Sequence, residues 1–202
     1  MMQGRLIAIE GIDQSGKRTQ AHLLSKTLRR KGFKVKILSF PIYSSSSGQQ
    51  LKEFLTGRRH YPAQAVHMMY SLNRWENLEA INNALTIYDY VIADRYSPSN
   101  LAYGVSRGLE FEWLRDLDKG LPVPSLVIVL DVPVSRSFRR KRTGRDVHEK
   151  DRIFLERVRR SYKILAKKLG WRTVDGTGEP SAIQFQMSKL VETRFRQKSL
   201  NR

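Results

Sequence analysis

A chain of 202 residues with 40% apolar and 9% aromatic residues can bury one core, which excludes wholesale disorder and points to a single ordinary domain. It has no cysteine, so disulfides, thiol nucleophiles and Cys-ligated zinc or iron–sulfur centres are excluded, and a cytoplasmic setting is expected. Its 37 Lys and Arg against 19 Asp and Glu give a formal charge of +18, which calls for an anionic partner: nucleic acid, an acidic membrane or a phosphorylated substrate. The charge is clustered. Residues 136–172 hold 15 Lys or Arg against four acids, and residues 26–36 hold six with no acid. No run of about 18 apolar residues is available to cross a membrane, and Met1–Arg5 leads into a strand-like segment, so no signal peptide is expected.

In chain order, Leu6–Ile9 reads as the first strand, followed by a loop and a helix predicted over Gln20–Lys31. That helix has Ala21, Leu24 and Leu28 on one face and Gly32 as its stop. Val35–Leu38 reads as the second strand and Ser44–Ser47 as a short loop. Residues 63–88 carry helical spacing for one long helix or two. Tyr90–Ala93 and Leu126–Leu130 are apolar on both faces, as buried parallel strands are. Arg152–Leu169 repeats apolar residues at Phe154, Val158, Tyr162 and Leu165, and Arg172–Val174 is a weaker fifth strand. Strand alternating with helix predicts an α/β fold with a mostly parallel sheet of about five strands. One domain is expected over residues 1–194, with a frayed basic tail at 195–202.

The segment between the first strand and its helix, Glu10-Gly11-Ile12-Asp13-Gln14-Ser15-Gly16-Lys17-Arg18-Thr19-Gln20, has the spacing G-x-x-x-x-G-K. Gly11 and Gly16 let the backbone wrap so that N–H groups face phosphate oxygens, Lys17 reaches the β- and γ-phosphates, and the helix N-terminus adds its dipole. The expected cradle is Gly11, Ile12, Asp13, Gln14, Ser15, Gly16, Lys17, Arg18 and Thr19. The bland alternative is a Gly-rich turn with a surface lysine; the strand–loop–helix context weighs against it. The residue after the lysine is usually Ser or Thr, whose hydroxyl ligates Mg²⁺. Arg18 cannot do so. A metal would then rest on carboxylates, phosphates and water, with Asp13 and Asp94 as candidates. Arg18 either clamps phosphate or points to solvent.

Further segments, taken with this loop, resemble the thymidylate kinase family over nearly the whole chain. They are Phe40-Pro41-Ile42-Tyr43, Tyr70-Ser71-Leu72-Asn73-Arg74-Trp75-Glu76, Asp94-Arg95-Tyr96-Ser97-Pro98-Ser99-Asn100-Leu101-Ala102-Tyr103, and Gly120-Leu121-Pro122-Val123-Pro124. The resemblance implies a three-layer phosphate-loop NTPase fold with strand order 2-3-1-4-5 and transfer of the ATP γ-phosphate to dTMP with Mg²⁺, a step of dTTP synthesis. It also implies a homodimer joined through the helix beginning at Ala63. The acceptor residues it implies suit thymine: Arg74 donates to O4, Asn100 serves N3–H, and Tyr70 stacks on the ring. Phe40 and Pro41 shape the wall, Tyr103 fills the space of a ribose 2′-OH, and Arg95 holds the acceptor phosphate. Tyr43 stands where some relatives have Arg and offers only a hydroxyl. Alternatives stay open at this point: Tyr70 and Tyr103 as core aromatics, Arg74 with Glu76 as a surface pair, and Asn100 as a helix cap.

Residues 136–149 match the lid of nucleoside monophosphate kinases in position. Arg136, Arg139 and Arg140 share a helical face by spacing. Because Gln14 replaces a catalytic arginine of some relatives, the resemblance implies that lid arginines stabilise the transferring phosphoryl group, with Arg142 and Arg145 the candidates and Glu149 near the sugar or the metal. His22, His60, His67 and His148 lack metal-ligand spacing and read as structural or surface residues. Two other functions compete. One is a kinase for a different nucleotide or a deoxynucleoside. The other is a nucleic-acid-binding NTPase, which uses the charge but leaves the acceptor residues unexplained.

Overall fold

The computed structural model describes residues 4–140 and 151–196. Among them, one parallel sheet contains β1 (Arg5–Glu10), β2 (Val35–Ser39), β3 (Tyr90–Asp94), β4 (Leu126–Asp131) and β5 (Arg172–Asp175) in the order β2-β3-β1-β4-β5. This is the order the resemblance implied. Side chains alternate across the strands and supply two cores. Ile7, Ile9, Ile92, Ile128 and Leu130 face α1 (Lys17–Arg30) and the C-terminal helix, while Leu6, Ala8, Val91, Ala93, Val127 and Val129 face the other side. The second core is closed by helices α4 (Leu78–Ile87), α5 (Ser97–Ser106) and α8 (Arg152–Leu169). The remaining helices are α2 (Ser46–Leu55), α3 (Ala63–Glu76), α6 (Phe111–Asp116), α7 (Val134–Arg140) and α9 (Pro180–Arg196).

The register sets the position of the chemistry. Ile9 pairs with Asp94 on one side and with Ile128 on the other, so β1 and β3 end together. The Arg95 N–H donates to the Ile9 carbonyl at 3.1 Å, which brings the start of the loop after β3 against the loop after β1.

Two local expectations change, and one open choice, between one helix and two after Ala63, is decided. The serine run is not a loop throughout: Ser46 begins α2, and the Ser45 side chain caps it by accepting from the Gly48 N–H at 3.2 Å. The stretch from Ala63 forms two helices, broken at Asn77, whose Nδ2 donates to the Asn73 carbonyl at 2.7 Å. The expected frayed tail begins too early. Helix α9 runs through Arg196 and buries Phe195 to 5% exposure, because Ile183, Met187, Val191 and Phe195 form one stripe at four-residue spacing. Phe195 meets Tyr90 edge to face, with centroids 5.8 Å apart, under the Arg5 guanidinium at 4.7 Å. Phe195→Ala is therefore expected to lower unfolding free energy by about 3 kcal/mol in urea titration, the loss of a buried aromatic; a frayed position would show no change.

Candidate active site

The phosphate loop holds its form through positive backbone angles. Gly11 has φ 139°, and a Cβ there would lie 2.6 Å from the Leu130 carbonyl oxygen; Gly16, at φ 97°, starts α1. Lys17 is buried, and its Nζ donates to the carbonyls of Ile12 at 2.8 Å and Gly11 at 3.2 Å. Burial disfavours its ammonium, and the Arg95 charge adds to this, bringing its pKa down to about 8. Ser137 of α7 donates to the Asp13 carbonyl at 2.7 Å, tying the start of the lid to the loop. Gln14, Ser15, Gly16 and Thr19 form one side of an open cleft whose other side is Arg136, Arg139 and the Thr177–Pro180 turn. The Arg18 side chain is exposed and does not line that cleft.

A second cavity adjoins the loop. It is lined by Phe40, Pro41, Tyr43, Tyr70, Arg74, Arg95, Asn100 and Tyr103, together with Asp13. Every expected acceptor residue that lies among the described residues is thus brought to one space. Arg142, Arg145 and Glu149 lie outside the described residues.

At the junction of loop and cavity sits Arg95, a non-glycine residue at φ 66°. Its Nη1 donates to the Gly11 carbonyl at 3.2 Å and to Ser99 Oγ at 3.0 Å. Its Nη2 pairs with the Asp13 carboxylate and lies 3.2 Å from the Tyr103 hydroxyl. Tyr103 donates in turn to Asp13 Oδ2 at 2.8 Å. Tyr103 is both core and site: its ring packs among buried apolar residues and its hydroxyl faces the junction. Beneath lies Glu10, fully buried, which accepts from the Tyr96 N–H at 2.8 Å, from Tyr162 at 3.0 Å and from Ser99. Burial raises the Glu10 pKa, against the pull of those donors and of Arg95.

Elsewhere on the cavity wall, Arg74 is not paired with Glu76. Asp118 accepts from its Nε at 3.1 Å and its Nη2 at 2.7 Å, a buried fork that does not use Nη1. Glu76 instead accepts from the Ser47 N–H at 3.2 Å and the Ser47 hydroxyl. Asn100 lies within α5 and is not a cap; its amide contacts His67. Tyr70 lines the cavity beside them.

The sequence alone assigns no role to Asn73 or Asp118 and reads His67 only as a structural or surface residue. Asn73 accepts from the Ile42 N–H at 2.8 Å and donates to Ser45 Oγ at 2.8 Å, which holds the Phe40–Tyr43 segment against α3. The Asn73 position within the Arg-Trp-Glu block was the available signal. Nothing local marks Asp118, whose partner is 44 residues away.

For a metal, Asp94 is the better-fitting of the two candidates. Its Oδ1 is buried with no hydrogen-bond partner among the described residues, whereas both oxygens of Asp13 are engaged by Arg95 and Tyr103. No group of three His, Cys, Asp or Glu among the described residues could hold a cation, so phosphate oxygens and water would have to complete its shell.

Known proteins are similar to this chain over most of its length. The thymidylate kinase family model matches residues 9–186. The thymidylate kinase of Schizosaccharomyces pombe is 32% identical, covering 94% of this chain and 92% of its own. The Homo sapiens thymidylate kinase is 31% identical, covering 96% and 92%. A solved thymidylate kinase structure from Candida albicans superposes with a TM-score of 0.82 at 31% identity, covering 95% of this chain and 92% of that one.

The Arg74–Asp118 pair makes a stability test. Asp118→Asn leaves a buried guanidinium without its counter-charge and should cost about 3–5 kcal/mol, read as a lower urea midpoint. A change within about 0.5 kcal/mol, as for an exposed pair, would show that the fork contributes little.

Proposed function

The chain belongs to the thymidylate kinase family, and from that premise we propose how its own residues carry the ATP γ-phosphate to dTMP. The supporting observation is the Arg95–Asp13–Tyr103 cluster, which stands at the wall common to the phosphate loop and the acceptor cavity. The loop from Gly11 to Thr19 cradles the ATP phosphates with its N–H groups. Lys17 exchanges its carbonyl contacts for the β- and γ-phosphates, and the arriving anion favours the ammonium form against the pull of burial. In the acceptor cavity, Arg74 donates to thymine O4, the Asn100 amide oxygen accepts from N3–H, and Tyr70 lies on the ring. Phe40 and Pro41 form the wall, and Tyr103 occupies the space of a 2′-OH. Arg95 draws the dTMP phosphate toward the loop, with Tyr43 adding a hydroxyl.

A dTMP phosphate oxygen is already an anion at neutral pH, so its attack on the γ-phosphorus needs no general base. It forms the new P–O bond as the bond to ADP breaks. Arg142 and Arg145 stabilise the charge spread over the transferring group, and Glu149 meets the sugar or the metal side. Mg²⁺, when bound, neutralises charge on the β- and γ-oxygens; Asp94 would hold it, with Asp13 through water. The product, dTDP, leads to dTTP, and a cytoplasmic enzyme fits this role. No helix among the described residues is long and apolar enough to cross a membrane.

An ADP-release assay across nucleoside monophosphates tests the reading. dTMP is expected to give the highest kcat/KM, with dUMP weaker by about the 1–3 kcal/mol of a fitted methyl. Equal values for dTMP and dCMP would refute it. Lys17→Ala and Arg95→Ala should fold and lose turnover. Arg142→Ala or Arg145→Ala should lower kcat far more than the acceptor KM, because their contacts form in the transition state.

The proposed assembly is a homodimer through α3. Met68, Leu72 and Trp75 follow one another by four and three residues, with exposures of 53%, 50% and 37%, and so form an apolar stripe on one helix face. Sedimentation should give twice the chain mass for the native protein and a monomer for Leu72→Glu; a native monomer would remove this interface.

A further inference from the structure

His67, which the sequence left as structural or surface, is buried and meets both ends of the Asn100 amide. Its Nδ1 lies 2.6 Å from Asn100 Oδ1, and its backbone carbonyl accepts from Asn100 Nδ2 at 3.3 Å. An amide oxygen only accepts, so Nδ1 carries the proton and Nε2 is bare. Turning the amide over would set its oxygen against the His67 carbonyl oxygen, a repulsive contact in either ring tautomer, and its NH₂ could meet Nδ1 only if the ring proton moved to Nε2. The His67 ring is 1% exposed, and burial lowers its pKa to about 4, which keeps it neutral. Both residues line the acceptor cavity, with Tyr70 one turn beyond His67 on α3 and its ring 6.1 Å away.

We infer that His67 is a positioning residue that locks the Asn100 amide in one orientation and thereby fixes which bases the cavity accepts. The inference rests on the thymidylate kinase reading and names the determinant of base choice within it. Thymine carries a hydrogen at N3, where cytosine carries a lone pair. The locked Asn100 oxygen keeps a second lone pair, which attracts N3–H and repels the cytosine nitrogen. An unlocked amide can turn over and present its NH₂ to cytosine instead. His67 therefore acts on discrimination and acceptor affinity, while the transfer step belongs to other residues.

Three substitutions separate this role from plain packing. Asn carries an amide nitrogen at the branch position of Nδ1, so His67→Asn can keep the donor; His67→Gln and His67→Ala cannot. In the latter two, the ratio of kcat/KM for dTMP over dCMP should fall about ten-fold, the size of one net hydrogen bond, through KM and with kcat for dTMP near wild type. His67→Asn should retain the ratio. An unchanged ratio in His67→Ala, or an equal loss in His67→Asn, would overturn the assignment. If the variants do not fold, long-range ¹H–¹⁵N spectra of the native protein decide: Nδ1 protonated and Nε2 bare from about pH 5.5 to 8 is expected, and a proton on Nε2 overturns it. Native protein that fails to phosphorylate dTMP sinks the thymidylate reading, and the tautomer still decides whether the lock exists.

Discussion

The ion pair between Arg95 and Asp13 is the contact on which the site depends. Asp13 belongs to the phosphate loop and Arg95 to the loop after β3, 82 residues later. The pair joins the cradle to the acceptor cavity, and each partner is also held by Tyr103. Taking two charges out of water is unfavourable unless their remaining hydrogen-bonding capacity is met. Here most of it is met: Gly11, Ser99 and Tyr103 take the Nη1 and Nη2 donors that Asp13 leaves, while Glu10 anchors Ser99 from below. The positive φ at Arg95 is the backbone consequence of aiming a long cation back over β1.

The same logic sorts the large positive charge. Where Arg is buried or half-buried near chemistry, an acid meets it: Arg74 has Asp118, Arg95 has Asp13, and Arg159 has Asp131. Among the described residues, much of the surplus lies on solvated faces, as on α8, where Arg152, Arg157, Arg160, Lys167 and Lys168 are exposed. High dielectric makes those charges cheap to carry, and they shape the field around the molecule rather than its fold.

The wall of the cavity is held by a second tier of contacts from behind its lining residues. Asp118 takes Nε and Nη2 of Arg74 and does not use Nη1. His67 orients Asn100, and Asn73 holds the segment that carries Phe40 and Tyr43. Each is a buried polar group satisfied by another element, so the cavity wall is fixed before a ligand arrives.

The amino-acid sequence by itself determined the strands to within a residue or so at each end; the three central ones, β3, β1 and β4, are doubly buried and so are written as unbroken apolar runs, whereas the edge strands β2 and β5 are only partly buried and give a weaker signal. It determined the phosphate loop, because Gly11, Gly16 and Lys17 are required by backbone geometry and charge at a set spacing. Through its resemblance to a family it also marked residues that the structure brings to one cavity. It left the serine run ambiguous, since a loop and a helix start both favour Ser until Ser45 is seen capping Gly48. It hid Phe195, since local basic composition outweighed a stripe that has meaning only against Tyr90. Only the tertiary structure decided that Arg74 belongs to Asp118 rather than to Glu76, and that His67 holds Asn100 across 33 residues. Periodicity reports which face of an element is buried, whereas a polar partner is chosen by which faces the sheet order brings together, and that choice is a property of the whole chain.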